Sequence, residues 1–85
     1  MKPVQLFYLK SCPYCQRALS YIDQLKKQAA YKDVDIEMIE ESEEPELADS
    51  YDYFYVPTFY VGGVKEHEGA ASFEEVEAVF KKIID

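Results

Sequence analysis

The chain opens with a near-continuous apolar run, Pro3 to Leu9, of strand length and without polar alternation, the pattern of a central strand covered on both faces. A helical spacing takes over almost at once. Cys15, Leu19, Ile22 and Leu25, with Ala18 and Ala29 beside them, recur at intervals of three and four, while Gln16, Arg17, Gln24, Lys27 and Gln28 fill the other side. Ser11 is expected as a cap or turn residue. Pro13 fits a first helical turn, where its missing N–H would have had no partner. Lys26, Lys27 and Lys32 stand toward the negative pole of that helix.

Asp33 to Ile39 then alternates polar and apolar residues at period two, which predicts a strand with one wet face. Strand, helix and strand make a right-handed crossover with parallel strands. A short acidic helix is expected to start near Ser42, with Glu43, Glu44 and Pro45 in its first turn and Leu47, Ala48 and Tyr51 facing inward. Gly62-Gly63, between Thr58–Val61 and the residues after Val64, reads as a two-residue hairpin turn. Ser72 and Glu75 have the spacing of a capping box, and Phe73, Val76, Val79, Phe80 and Ile83 form the stripe of a last helix ending at Lys81 and Lys82. The sum is one α/β domain over residues 1–85, with element order βαβαββα. Its four-stranded mixed sheet, parallel in the first half and antiparallel in the second, is flanked by three helices.

Composition supports a folded chain: 48% of residues are hydrophobic and 15% aromatic, with no low-complexity tract. The apolar start is interrupted by Lys10, and no stretch approaches the ~20 apolar residues of a membrane span, so a cytoplasmic protein is expected; it is also expected to be a monomer. The formal charge of −8 is concentrated between Asp33 and Asp52, which hold ten acidic residues and no lysine or arginine. Nucleic acid and anionic membrane are disfavoured as partners, since both require clustered cations.

Chemistry concentrates in Cys12 and Cys15, the two cysteines of the chain, placed where the first strand meets the first helix. Open α/β sheets bind ligands at the carboxyl ends of their strands. A structural disulfide closing so short a loop would contribute only about 2 kcal/mol. A structural zinc ion needs four ligands, and the sequence adds only His67, expected on the distant hairpin. A reactive dithiol fits better. Cys12 would lie at the amino end of the helix, where N–H groups and the helix pole favour a thiolate, with Cys15 one turn on and Lys10 nearby. Ionisation raises the thiolate fraction but lowers its intrinsic nucleophilicity, so the lasting gain is in leaving-group quality. Pro13 stiffens the loop, and Tyr14 is expected to form an amphipathic wall beside the sulfurs.

Cys12-Pro13-Tyr14-Cys15 after an apolar strand, together with Val56-Pro57 ahead of a strand and hairpin, resembles the glutaredoxins, a branch of the thioredoxin fold, over essentially the whole chain. The resemblance implies a thioredoxin-like fold, Cys12 as nucleophile, Cys15 as resolving thiol, a cis bond before Pro57, and Val56 offering its backbone to the substrate. It implies a dithiol–disulfide oxidoreductase that reduces protein disulfides or glutathione mixed disulfides, with no cofactor and with glutathione as a possible co-substrate. Lys10, Tyr14, Tyr55, Val56, Pro57, Ala71 and Ser72 are the positions that match the family's substrate and glutathione contacts.

Departures from the family pattern fall at the glutathione contacts. Lys10 stands two residues before Cys12 where the family has three, Tyr55 replaces Thr, Ser72 replaces Asp, and the acidic second helix offers no cation. Weak glutathione binding is therefore expected, with a flavoprotein reductase as the other electron source. The alternative readings are a glutaredoxin-like electron donor re-reduced by thioredoxin reductase, of the kind that serves ribonucleotide reductase, and a non-enzymatic carrier of an iron–sulfur cluster between two subunits. The segment from Tyr51 to Tyr60 is unusually aromatic; most of its rings are expected in the core, with one or two left to form an apolar apron for protein substrates.

Overall fold

The apolar opening run lies inside the sheet, where its lack of polar alternation is accommodated. In the computed structural model, which describes residues Met1–Asp85, β1 (Val4–Tyr8) is flanked by β2 (Glu37–Glu40) and β3 (Thr58–Val61), and β4 (Val64–Glu68) lies outside β3. β1 pairs in parallel with β2, and antiparallel with β3, where Val4 faces Val61 and Phe7 faces Thr58. β3 and β4 form the expected hairpin. Its turn residues, Gly62 and Gly63, have φ of 58° and 82°, a left-handed pair that side chains would resist.

Successive residues of β1 point to opposite faces, and each face has its own core. Val4 and Leu6 join Phe59 and Val61 of β3 under two helices, α1 (Pro13–Lys26) and α3 (Phe73–Ile84), which contribute Ile22, Leu25, Val76, Val79, Phe80 and Ile83. Phe7 turns the other way, joining Ile39, Tyr60 and Ala48 of the short α2 (Pro45–Asp49). Phe7 is fully buried, and its ring centroid lies 4.6 Å from Tyr51, 4.9 Å from Tyr53 and 5.8 Å from Tyr60. The expected aromatic clustering is thus a four-ring core beneath the segment that joins α2 to β3.

Several local expectations are corrected. β2 begins at Glu37, not Asp33, since β1 offers partners to only four residues and the chain before it is turned by Tyr31 N–H to Gln28 and Val34 N–H to Tyr31 bonds. Val34 and Ile36 still pack on the helix-covered core, but from outside the strand, and Met38 is 40% exposed while Ile39 is buried on the opposite face. Of the two roles expected for Ser11 it takes the turn, and Cys12 is the N-cap of α1, with Pro13 in its first turn. Ala29 lies beyond the helix and is exposed. α2 starts at Pro45 behind Glu44, because the preceding residues turn back on Glu40, whose carbonyl accepts from the N–H groups of Glu43 and Glu44. His67 lies on the hairpin as expected, on β4, with its side chain only 16% exposed and Nε2 against the carbonyls of Gly69 and Ala70. No helix is long and apolar enough to cross a membrane.

Candidate functional site

The end of β1 and the start of α1 are joined by four residues, Leu9 to Cys12, and that short span fixes both sulfurs. Cys12 N–H donates to the Leu9 carbonyl at 3.1 Å, and the Cys12 carbonyl starts the helix by accepting from Gln16 N–H at 3.0 Å. The Gln16 side chain closes the loop by donating to the Lys10 carbonyl. From this position Cys12 is half-buried, whereas Cys15 is fully buried; both thiols are free. Leu9 N–H points at Cys15 Sγ from 3.5 Å.

The two thiols are driven in opposite directions. Partial burial pushes Cys12 up, but hydrogen bonds from Cys15 N–H, the Cys15 thiol and Tyr14 N–H outweigh it, and the result lies below the ordinary thiol value. Cys15 is pushed up to about 12 by burial first, with its bond to Cys12, the Cys12 charge and Glu41 adding to the effect against Leu9 N–H. The pair therefore holds one proton tightly on Cys15 and the other more loosely on Cys12.

Lys10 takes no part in this. Contrary to the sequence expectation of a cation near the sulfur, its ammonium is turned away to Glu43 at 2.5 Å, and its N–H donates to Glu40. Glu40 is only 6% exposed, and its carboxylate also accepts from the N–H and hydroxyl of Ser42, which hold its pKa below the usual carboxylate range. It anchors the cysteine loop to the end of β2. Sequence reasoning missed it, the only signal being an acidic residue ending a strand two places before a serine.

On the other side of the cysteines lies the segment before β3. The pairing of Phe7 with Thr58 brings Pro57 and Val56 to the level of Tyr8 and Leu9, the latter being the residue whose N–H points at Cys15 Sγ. The Val56-Pro57 bond is cis, Pro57 is buried, and its carbonyl accepts from Gly69 N–H at 2.8 Å. Gly69 needs its φ of 92° to make that bond. Val56 is half-buried, while Tyr14, Phe54 and Tyr55 are 51%, 86% and 71% exposed. Tyr14 has the Arg17 guanidinium 5.8 Å from its ring centre.

Ala71 and Ser72 lie at the start of α3. Ala71 packs against the core, and Ser72 is spent on the helix itself: its hydroxyl accepts from Glu75 N–H at 3.1 Å and its own N–H donates to the Glu75 carboxylate at 3.0 Å. The Ser72 amide is thus occupied by this chain's own carboxylate. Beside Leu9 a shallow groove of about 330 Å³ is lined by Glu41, Ser42, Pro45, Ala48 and Asp49, two carboxylates and no cation. No group of three or more His, Cys, Asp or Glu side chains is placed to hold a metal ion.

A protein-family model described as Glutaredoxin matches residues 4–66. The chain is 34% identical over 73 residues to a probable thioredoxin of Methanothermobacter thermautotrophicus, an alignment covering 86% of this chain and 85% of that one. It is 33% identical over 81 residues to a probable thioredoxin of Methanothermobacter marburgensis, with 94% of each covered. Its backbone also superposes on the crystal structure of a Malassezia sympodialis thioredoxin with a TM-score of 0.78 at 17% identity, covering 99% of this chain and 76% of the other, a likeness of fold.

Proposed function

This chain belongs to the glutaredoxin family of the thioredoxin superfamily, and from that membership we propose that it is a dithiol–disulfide oxidoreductase acting on protein disulfides, with electrons drawn from a flavoprotein reductase rather than from glutathione. The observation that carries the reading is the divided pair: a half-buried Cys12 sulfur facing two amides, and a buried, protonated Cys15 beside it.

The Cys12 thiolate attacks one sulfur of the substrate disulfide, forming a mixed disulfide and expelling the second substrate sulfur as a thiolate, which takes up a proton. Once Cys12 is bonded, its negative charge is gone. Two of the influences that raised Cys15, the hydrogen bond to Cys12 and the Cys12 charge, vanish together, leaving burial and Glu41 opposed by Leu9 N–H. Cys15 then gives up its proton to solvent or to the departing thiolate and attacks Cys12 Sγ. The Cys12–Cys15 bond forms, the mixed disulfide breaks, and the substrate leaves with two thiols, having gained the two electrons the chain lost.

Three features favour a reductase as the source of those electrons. Lys10 is neutralised by Glu43, the Ser72 amide is filled by Glu75, and the groove beside Leu9 is lined by carboxylates. An anionic tripeptide meets no unpaired cation there. The curated relatives being named thioredoxins agrees with this reading. The experiment is turnover of a protein disulfide with NADPH and thioredoxin reductase against turnover with glutathione and glutathione reductase. Faster turnover in the first arm is expected; turnover in the glutathione arm alone would overturn the choice of donor, and none in either arm would overturn the oxidoreductase.

A further inference from the structure

The segment from Asp52 to Val56 makes no backbone-to-backbone hydrogen bond. Beyond the Tyr53 side chain, which donates to Glu41 at 2.7 Å and packs on Phe7, four of its backbone groups are held, all by side chains of the β3–β4 hairpin. The Asp52 carbonyl accepts from the Tyr60 hydroxyl at 2.6 Å and from the Lys65 ammonium at 3.2 Å. A single oxygen of Glu68 accepts from two successive amides, Phe54 N–H at 2.5 Å and Tyr55 N–H at 3.0 Å. Its other oxygen is paired with Lys65 at 2.8 Å, and the Thr58 hydroxyl donates to the Tyr55 carbonyl. The Glu68 side chain is largely covered, whereas the rings on the amides it grips are almost bare. A main chain fixed by side chains and carrying two aromatic rings into water, just ahead of Val56-Pro57, has the build of a docking element.

We propose that Glu68 is a positioning residue for disulfide exchange: by gripping the amides of Phe54 and Tyr55 it fixes the strand-like edge at Val56 against which an apolar, extended segment of the substrate protein aligns its disulfide with Cys12. The proposal rests on the oxidoreductase reading above. Glu68 touches neither sulfur and acts only through the segment it holds. Free of it, the segment samples other conformations, and apparent affinity falls in proportion to the time spent out of place.

The test is reduction of insulin driven by dithiothreitol, which needs no particular reductase, in the wild type, Glu68→Ala and Glu68→Gln. If the wild type gives no acceleration over dithiothreitol, the oxidoreductase reading fails; if it does, the variants decide the proposal alone. In Glu68→Ala we expect KM for insulin to rise about tenfold with kcat within twofold, amide exchange at Phe54 and Tyr55 to quicken, and the pH profile of Cys12 alkylation by iodoacetamide to stay where it was. Glu68→Gln retains an oxygen that can accept both amides and should recover most of the KM. An unchanged KM despite faster amide exchange in Glu68→Ala overturns the proposal, as does a shifted alkylation profile, which would signal a general structural role. Should Glu68→Ala fail to fold, Lys65→Ala replaces it: a severalfold rise in KM at constant kcat is expected, and wild-type KM overturns the proposal.

Discussion

Phe7→Leu tests what the four-ring core contributes, because leucine keeps the position apolar while removing the ring contacts, with a small void added. Phe7 faces three tyrosine rings at 4.6, 4.9 and 5.8 Å, and at such separations each aromatic pair is worth about 0.5–1.5 kcal/mol beyond the area it buries. The three share one ring and cannot add in full, so a loss of about 2 kcal/mol is expected. A domain of this size has roughly 4–13 kcal/mol of stability in all. The loss should lower Tm by about 8–16 °C. Urea denaturation checks it: the midpoint should fall with the m-value unchanged, since the surface exposed on unfolding is nearly the same. A double-mutant cycle with Tyr51→Leu should show coupling of about 1 kcal/mol between two rings in direct contact. A loss below about 0.5 kcal/mol in Phe7→Leu, or effects of the two substitutions that simply add, would refute the claim that ring packing holds this face together.

Cys15→Ser should stop turnover while leaving Cys12 alkylation by iodoacetamide intact, and mass spectrometry should find the substrate trapped on Cys12 as a mixed disulfide. Ser72→Ala removes the hydroxyl that accepts from Glu75 N–H and should cost about 1 kcal/mol, read as a fall of roughly 4–8 °C in Tm. Glu68 titrates at about 2 in the folded chain against an ordinary 4.5, its carboxylate held down by Lys65 and by the amides of Phe54 and Tyr55. Because the folded value is the lower one, its contribution is complete above pH 4.5 and is lost as pH falls through about 2. The stability gap between wild type and Glu68→Gln should therefore close across that window in thermal scans taken at successive pH values.

Local signals were legible in the sequence wherever one short stretch was enough to decide the structure. The hairpin was set by two adjacent glycines, the start of α3 by a serine and a glutamate three residues apart, and the site of the thiols by an apolar run meeting a helical spacing. β2 was misjudged because Val34 and Ile36 face the core from the irregular stretch before the strand, with the same alternation they would have within it; pairing with β1 begins only at Gln5 and Glu37. The supports of the site were invisible for a related reason. Lys10 and Glu43 lie 33 residues apart, and Glu68 reaches amides 13 and 14 residues before it, so each contact follows from sheet register and loop path rather than from any motif.

The order β2-β1-β3-β4 leaves the sheet with two unpaired borders, and neither invites company. Four of the five residues of β4 are ionisable, and β2 begins and ends in glutamate. A foreign strand zipping along either flank would have to run beside those side chains, which is how natural sheets deter lateral growth. Growth along either flank is thereby discouraged, and the sulfurs lie away from both borders, off the end of the central strand β1.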